Sequence, residues 1–426
     1  MNDSILVFKF GGASVKNSEA VQNAIAILKL FPKQKILIVV SAMGKTTNQL
    51  ELLFNSFYKK DKDAFLSKLN ELREFHVDII DQIFINSEQG EIRSLVTSLF
   101  DQITLLYDQD TSENKSKLYD SFVSYGELLS SLILQKAILN SLNESAWADA
   151  RQLIRTDANF QKANVEWEGT IKNINSICLP QLSTHKIVVT QGFIAANKNG
   201  DTTTLGREGS DYSAGIFAHA LDAKSVTIWK DVPGMLNADP KFFKDTIKLD
   251  KISFKEAIEL SYYGASVIHP KTLKPLQNKG IPLYVKSFTE PLGSGTKIDI
   301  DTSNDRDIPS FIFKKNQVLF SVTPKDFSFL IEANLSDIFL KLSEVKAEIN
   351  IMQNSALSFS FLIDEDKDKL KDVIEILSPT YLVKYNSNVE LVTVRHYDQK
   401  TNDFVCKGKT ILLQQRTRTT ARFVLI

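Results

Sequence analysis

The segment VFKFGGASV places a lysine, Lys9, near the end of an apolar run and two glycines, Gly11 and Gly12, just after it. Adjacent glycines let backbone N–H groups approach an anion closely, and a helix starting after them would add positive potential. The motif reads either as a phosphate cradle with its counter-charge or as a tight turn beside a lysine that reaches solvent, and by itself it leaves both open. Farther along, VTQGFIAANKNGDTTTLGREGSDYSAG runs from a strand into an apolar helix and sets Arg207 between Gly206 and Gly209. Ser210 is expected to cap that helix and Asp211 to favour its positive end. Capping does not account for a guanidinium beside such bare backbone, where it is free to take a carboxylate or phosphate through paired hydrogen bonds; a surface salt bridge is the plainer alternative. Gly44, Lys45 and Thr46 mimic the tail of a P-loop, but Val39 stands where that motif needs its first glycine. No GxGxxG follows a strand, so a Rossmann dinucleotide site has no support. His76, His185, His219, His269 and His396 show no ligand spacing, and no direct protein ligand to a metal is expected.

Positioning such groups requires strands that end at one edge. Ile5 to Phe10, Ile36 to Val40, Ile187 to Val189, Val226 to Trp229 and Ile281 to Val285 are short runs rich in Val and Ile, separated by helical patterns. They predict strands of a parallel sheet buried on both faces, and hence an α/β class. Leu118 to Leu142 has helical spacing, and Ser253 with Glu256 makes a capping box for a helix that Gly264 would stop. The charged stretch 52–118 predicts a helical insertion. PLGSGTKIDIDTSNDRD has linker composition, which puts a boundary there between a catalytic domain, 1–300, and a C-terminal region, 310–426. In the latter, strands are expected at Val318 to Val322, Ser328 to Glu332, Ile349 to Met352 and Leu357 to Ile363. Helices are expected around Asp337 to Ala347 and Lys367 to Ile376, and two more strand pieces near Ile411 and Phe423.

Composition narrows the partners. The chain has 426 residues, enough for two or three domains, and is 43% hydrophobic and 24% charged. Lys plus Arg and Asp plus Glu number 51 each, so no net field draws it to nucleic acid or an anionic membrane, and a small-molecule partner is the expectation. Arg416, Arg418 and Arg422 alternate as on one solvated sheet face rather than as an RNA patch. Cys178 and Cys406 offer neither a disulfide framework nor a metal knuckle, which fits a reducing cytoplasm. No signal peptide opens the sequence and no uncharged apolar run reaches about 18 residues, so neither export nor membrane spanning is expected.

Seven motifs in order resemble the aspartate kinases of the amino-acid kinase family: KFGGASV from Lys9, VVSAMGKTTN from Val39, SYGELLS from Ser124, WADAR from Trp147, TLGREGSD, WKDVPGMLNADP from Trp229 and SYYGASVIHPKTL from Ser261. The resemblance spans residue 5 to about 290. It implies a three-layer α/β/α sandwich with a mainly parallel open sheet, and ATP-dependent phosphorylation of the L-aspartate side-chain carboxylate to 4-phospho-L-aspartate, with Mg2+ carried on ATP. This is the first step of lysine, threonine and methionine biosynthesis. Carried over, it implies that Lys9, Gly11, Gly12 and Ser14 hold the phosphates, with Lys230, Asp231, Asp239 and Lys241 flanking the nucleotide. Asp211 would lie by the phosphates and act with Lys9 in catalysis, and Ser41, Thr47, Glu127, Arg207 and Ser210 would bind aspartate. Read without the resemblance, Glu127 is a solvated helix residue.

The chain departs from the family at Leu236, where tyrosine is common, at Glu208 for glycine, at Ser266 for lysine and at Lys241 for arginine. These departures touch the nucleotide contacts, not Thr47, Glu127 or Arg207. Other readings are a family member acting on glutamate, carbamate or a nucleotide, and a silent amino-acid sensor. The C-terminal ββαββα-like pattern resembles the ferredoxin-like ACT domain, present as one full unit and a reduced second one. That resemblance implies a lysine or threonine effector and a homodimer; Asn354 and Ser355 fall where effector contacts would lie, and read equally as a turn.

Overall fold

The computed structural model describes residues 4–85, 87–265, 268–326 and 328–426, so Ser266 lies outside the described residues. They form two compact units, one of 4–235, 248–261 and 268–305, the other of 236–247, 262–265 and 306–426. The first contains β1 (Ile5–Phe10), β2 (Lys35–Val40), β3 (Ser145–Ala148), β4 (Arg155–Thr156), β5 (Ile187–Gln191), β6 (Ile194–Asn197), β7 (Thr202–Thr204), β8 (Ser225–Lys230), β9 (Lys251–Ser253), β10 (Leu283–Ser287) and β11 (Thr296–Asp299). Its main sheet has the order β3-β5-β2-β1-β8-β10-β11-β9, parallel at every pairing except β10 with β11. A small sheet, β4-β6-β7, stands beside it.

The last five residues of β1 and of β2 are all buried, so both faces of the sheet must be covered by helices. On one face Phe8, Phe10, Ile36, Ile38 and Val40 share a core with helices Ser18–Lys29, Thr46–Tyr58, Lys62–Ile83 and Tyr125–Leu142. On the other lie helices Trp167–Thr184 and Gly209–Ala220. This is the three-layer sandwich. The expected insertion is helical, but Phe65, Leu72, Ile80, Val96 and Phe100 belong to the same core as β1, so it thickens one helical layer. The stretch Lys115–Leu142 is apolar enough to cross a membrane by composition and is instead 78% buried inside the protein.

Several expectations need correction. The supposed linker contains β11, which alternates buried and half-buried residues and is turned into the sheet by Gly295 at φ +68. A Cβ on Gly295 would sit 2.4 Å from the carbonyl oxygen of Val285, which explains a glycine inside a stretch that looked like linker. Pro270 starts helix Pro270–Lys279, whose cap is the His269 ring accepting from Lys271 N–H.

The second unit is an antiparallel sheet of β12 (Ser310–Pro324), β13 (Ile351–Asn354), β14 (Phe359–Asp364), β15 (Tyr381–Arg395), β16 (Ile411–Arg416) and β17 (Thr420–Leu425), in the order β13-β14-β12-β15-β17-β16. β12 and β15 pair along their whole length through register shifts at 314–319, where Asn316 and Asn388 adopt positive φ. The bulged pair serves two halves. Phe320 and Phe361 pack under helices Glu332–Glu344 and Lys367–Leu377, while Phe311, Val392 and Phe423 pack with Val405 of helix Gln399–Cys406. No strand forms at 328–332: the Asn334 side chain accepts from Ile331 N–H and starts a helix there. Nor do the three arginines share a face. Arg416 is exposed on β16, Arg418 lies in the following turn, and Arg422 donates to Asn350 O and sits over the Tyr263 ring.

Candidate active site

Lys9 is the fifth residue of β1 and points away from the Phe8/Phe10 core, toward helix Gly209–Ala220. Its Nζ lies 2.6 Å from Asp211 Oδ1, and Nζ of Lys230, the last residue of neighbouring β8, lies 3.5 Å from Asp211 Oδ2. Asp211 is in the first turn of its helix. Burial alone would raise its pKa, but the two ammonium groups overcome that and hold the carboxyl below its ordinary value. All three groups sit at the C-terminal edge of parallel strands, where open α/β sheets bind ligands.

The loops beyond β1 and β2 interlock. Gly44 N–H donates to Gly12 O and Ser41 N–H to Phe10 O. A Cβ on Gly12 would meet Ala42 O at 2.7 Å and Gly44 O at 2.9 Å, so only glycine fits there. A Cβ on Gly11 would lie 3.4 Å from Lys9 Nζ, so the bare backbone borders that ammonium. The glycines do not open a long helix: a four-residue 3-10 turn, Gly12–Val15, follows, and the α-helix begins at Ser18. Ser14 is buried and its hydroxyl donates to Trp229 O at 3.3 Å.

Opposite stands the wall that carries Arg207. Glu208 has left-handed backbone, φ 54, at the N-cap, so Ser210 falls inside the helix and does not cap it. Ser210 instead packs on Gly192, where a Cβ would lie 2.5 Å from the serine Cβ. Arg207 is exposed and has no ion-pair partner among the described residues. Glu127 is not solvated. It lies in the first turn of helix Tyr125–Leu142, 3% exposed, with Oε1 accepting from Ala42 N–H at 3.2 Å and Oε2 unpartnered. Burial pushes its pKa up to about 8.

One cleft of about 550 Å³ gathers these groups. Lys9, Ser210, Asp211 and Lys230 line it, and so do Ser41, Thr47, Glu127 and Arg207. Gly11, Gly12, Ser14 and Asp231 do not line it. Asp239 and Lys241 belong to the second unit, where Lys241 N–H donates to Asp239 Oδ1. Asn354 ends β13, and Ser355 closes the turn into β14 through Ser355 N–H to Ser358 O. Sequence reasoning missed Tyr119, Gln161 and Lys162, which also line the cleft. Tyr119 was within reach: it lies about two helical turns before Glu127 in the same apolar pattern. Gln161 and Lys162 lie in a polar loop that carries no pattern pointing to the site.

With that geometry in view, the relatives fall into one group. The family model described as Amino acid kinase family matches residues 4–287. The chain is 32% identical over 361 residues to Lysine-sensitive aspartokinase 3 of Escherichia coli (strain K12), covering 84% of this chain and 78% of that one. Two crystal structures of E. coli aspartokinase III are also similar, each 28% identical and covering 99% of this chain. The complex with aspartate and ADP (R-state) gives a TM-score of 0.81 and is covered over 96% of its length. The complex with lysine and aspartate (T-state) gives 0.83 and is covered over 95%. The chain spans less than half the length of a bifunctional aspartokinase/homoserine dehydrogenase of Arabidopsis thaliana that it also matches.

Proposed function

The chain belongs to the amino acid kinase family and, within it, to the aspartokinases, and from that premise we propose that it transfers the γ-phosphoryl group of ATP to the side-chain carboxylate of L-aspartate. A carboxylate oxygen bonds to the γ-phosphorus as the bond to the β,γ-bridging oxygen breaks, yielding 4-phospho-L-aspartate and ADP. The observation that carries this reading is the convergence of Lys9 and Arg207 on one cleft, which Thr47 and Glu127 also line.

The nucleophile needs no base, because a free aspartate side chain with a pKa of about 3.9 is already ionised near neutral pH. The work left for the protein is placement and charge neutralisation. Arg207 takes the α-carboxylate of the substrate, Glu127 its ammonium group, and the Thr47 hydroxyl supplies a further hydrogen bond. Lys9 neutralises the transferring phosphoryl oxygens, and Asp211 keeps its ammonium aimed. The donor set suits a polyphosphate: two ammonium groups, one of them bordered by the Gly11 backbone, and Asp211 already committed to both lysines. Mg2+ bound to the ATP phosphates would offset part of their charge, with no protein side chain needed as its direct ligand. An effector role for lysine is supported by the name of the lysine-sensitive relative and by the lysine complex of its crystal structure. A homodimer is supported by the exposed apolar side chains of Phe329, Ile331, Leu340 and Met352 on the second unit. We place the protein in the cytoplasm, where Cys178 and Cys406 stay reduced as they are here.

Trapping the acyl phosphate with hydroxylamine tests the reading. Hydroxamate should form only with both ATP and L-aspartate, and not when L-glutamate replaces aspartate; no aspartate-dependent product would refute it.

A further inference from the structure

Asp120 is a fully buried carboxylate that does not line the cleft. It sits on helix Lys115–Val123, and its hydrogen bonds leave that helix for two other segments. Oδ2 accepts from Gln161 N–H at 2.9 Å and from Thr204 N–H at 2.9 Å, and Oδ1 accepts from the Thr204 hydroxyl at 2.8 Å. Both partners line the cleft. Thr204 is the last residue of β7, three before Arg207, and its carbonyl accepts from Ala163 N–H, which closes the loop of Gln161 onto the strand. Gln161 has φ 66, a left-handed backbone that costs a non-glycine residue about 1 kcal/mol or more and persists only where its surroundings enforce it. The same helix carries Tyr119, whose hydroxyl donates to Glu51 at 2.6 Å, and leads through Ser124 into the helix that bears Glu127. One carboxylate thus ties the element leading to Glu127, the Gln161 loop and the strand leading to Arg207.

We infer that Asp120 is a positioning residue for the amino-acid substrate, setting the distance between the Glu127 and Arg207 sides of the cleft through the geometry of its three hydrogen bonds rather than through its charge. Asparagine separates the two. Its carbonyl oxygen can replace Oδ2 and accept both backbone N–H groups, while its amide donates to Thr204 Oγ1, since a hydroxyl accepts as readily as it donates. Glutamate does the reverse, keeping the charge and displacing the acceptors by a methylene.

The inference rests on the aspartate reading, and the wild-type enzyme serves as its control. Steady-state constants for both substrates are measured for Asp120→Asn, Asp120→Glu and Asp120→Ala, with circular dichroism to establish folding. Asp120→Asn should keep both KM values within about 3-fold of wild type. Asp120→Glu and Asp120→Ala should raise the aspartate KM by about 10-fold or more, because small misplacements of binding groups are costly, while the ATP KM stays within about 2-fold. Equal rises in both KM values, or an asparagine variant as impaired as the glutamate one, would overturn it. If the latter two variants do not fold, Asp120→Asn still decides: a 10-fold rise in its aspartate KM, about 1.4 kcal/mol, excludes geometry as the cause. Wild-type enzyme that fails to use aspartate would sink the functional reading, whereas turnover without the split between substrates sinks only this inference.

Discussion

Lys9 and Asp211 are two buried opposite charges whose removal from water is tolerated because each answers the other. Lys9→Ala should therefore act twice. Turnover should fall by about 100-fold or more, as for loss of a preorganised charge at a transferring phosphoryl group, while aspartate KM changes little. The Asp211 carboxyl, left with Lys230 alone, should also rise in pKa. An assay of ADP release reads the first effect, and near-normal turnover would remove Lys9 from the chemistry. Arg207 pays no such burial cost, so Arg207→Ala should chiefly raise the aspartate KM, by about 10- to 100-fold for a charged hydrogen-bonded pair. Glu127 makes a pH prediction. With a pKa of about 8 in the empty site it is mostly protonated at neutral pH, yet only the ionised form can pair with an ammonium. Aspartate KM should fall as pH rises from about 7 to about 8.5, and Glu127→Gln should abolish the trend. At this scale the sequence pointed to Lys9, Arg207 and Glu127 by their motifs. It could not expose Asp120, because a buried carboxylate and a solvated one are the same letter in a helical pattern.

The loops after β1 and β2 act as one element because a side chain has no room between them. Gly12→Ala would drive a Cβ against the carbonyl oxygens of Ala42 and Gly44, both backbone and unable to swing aside. We expect a loss of about 1–3 kcal/mol in a thermal or urea melt, and an unchanged melt would show that the loops shift freely. Helix Lys62–Ile83 holds His76, fully buried, with Nδ1 on Leu72 O at 2.8 Å and its ring against Phe75 and Phe100. Burial lowers its pKa to about 4. The unfolded chain, with an ordinary histidine near 6.5, then binds the extra proton, so stability is full above about 6.5 and declines as pH falls toward 4. Between pH 7 and 5 this amounts to about 2 kcal/mol, and His76→Leu should remove that share of the slope in urea unfolding. Elements with a continuous apolar run, such as β1, β2 and β5, were legible. β3, SAWA, and β11, TKID, were not, because short strands toward a sheet edge carry little hydrophobic signal. Strand β15 carries a bulge in its Asn-rich middle, which interrupts the alternation that would have marked a long strand.

Across the whole molecule, a lysine effect is the property to test. L-Lysine should lower the initial velocity at subsaturating aspartate, light scattering should give twice the chain mass, and an enzyme indifferent to lysine would leave the second unit without that role. The sequence by itself determined the α/β class and the helical character of 52–118, since burial periodicity is written locally, and it carried the glycine-flanked Lys9 and Arg207 motifs. Tertiary structure alone decided the rest. It made the expected insertion part of the main core, drew β11 into the sheet, and assigned 236–247 and 262–265 to the second unit. It also brought Lys9 and Arg207, separated by most of the catalytic region, to one cleft. The reason is physical: a local pattern specifies which face of an element must be buried, but the partner that buries it, and the charges that meet as a result, are fixed only when the whole chain closes on itself.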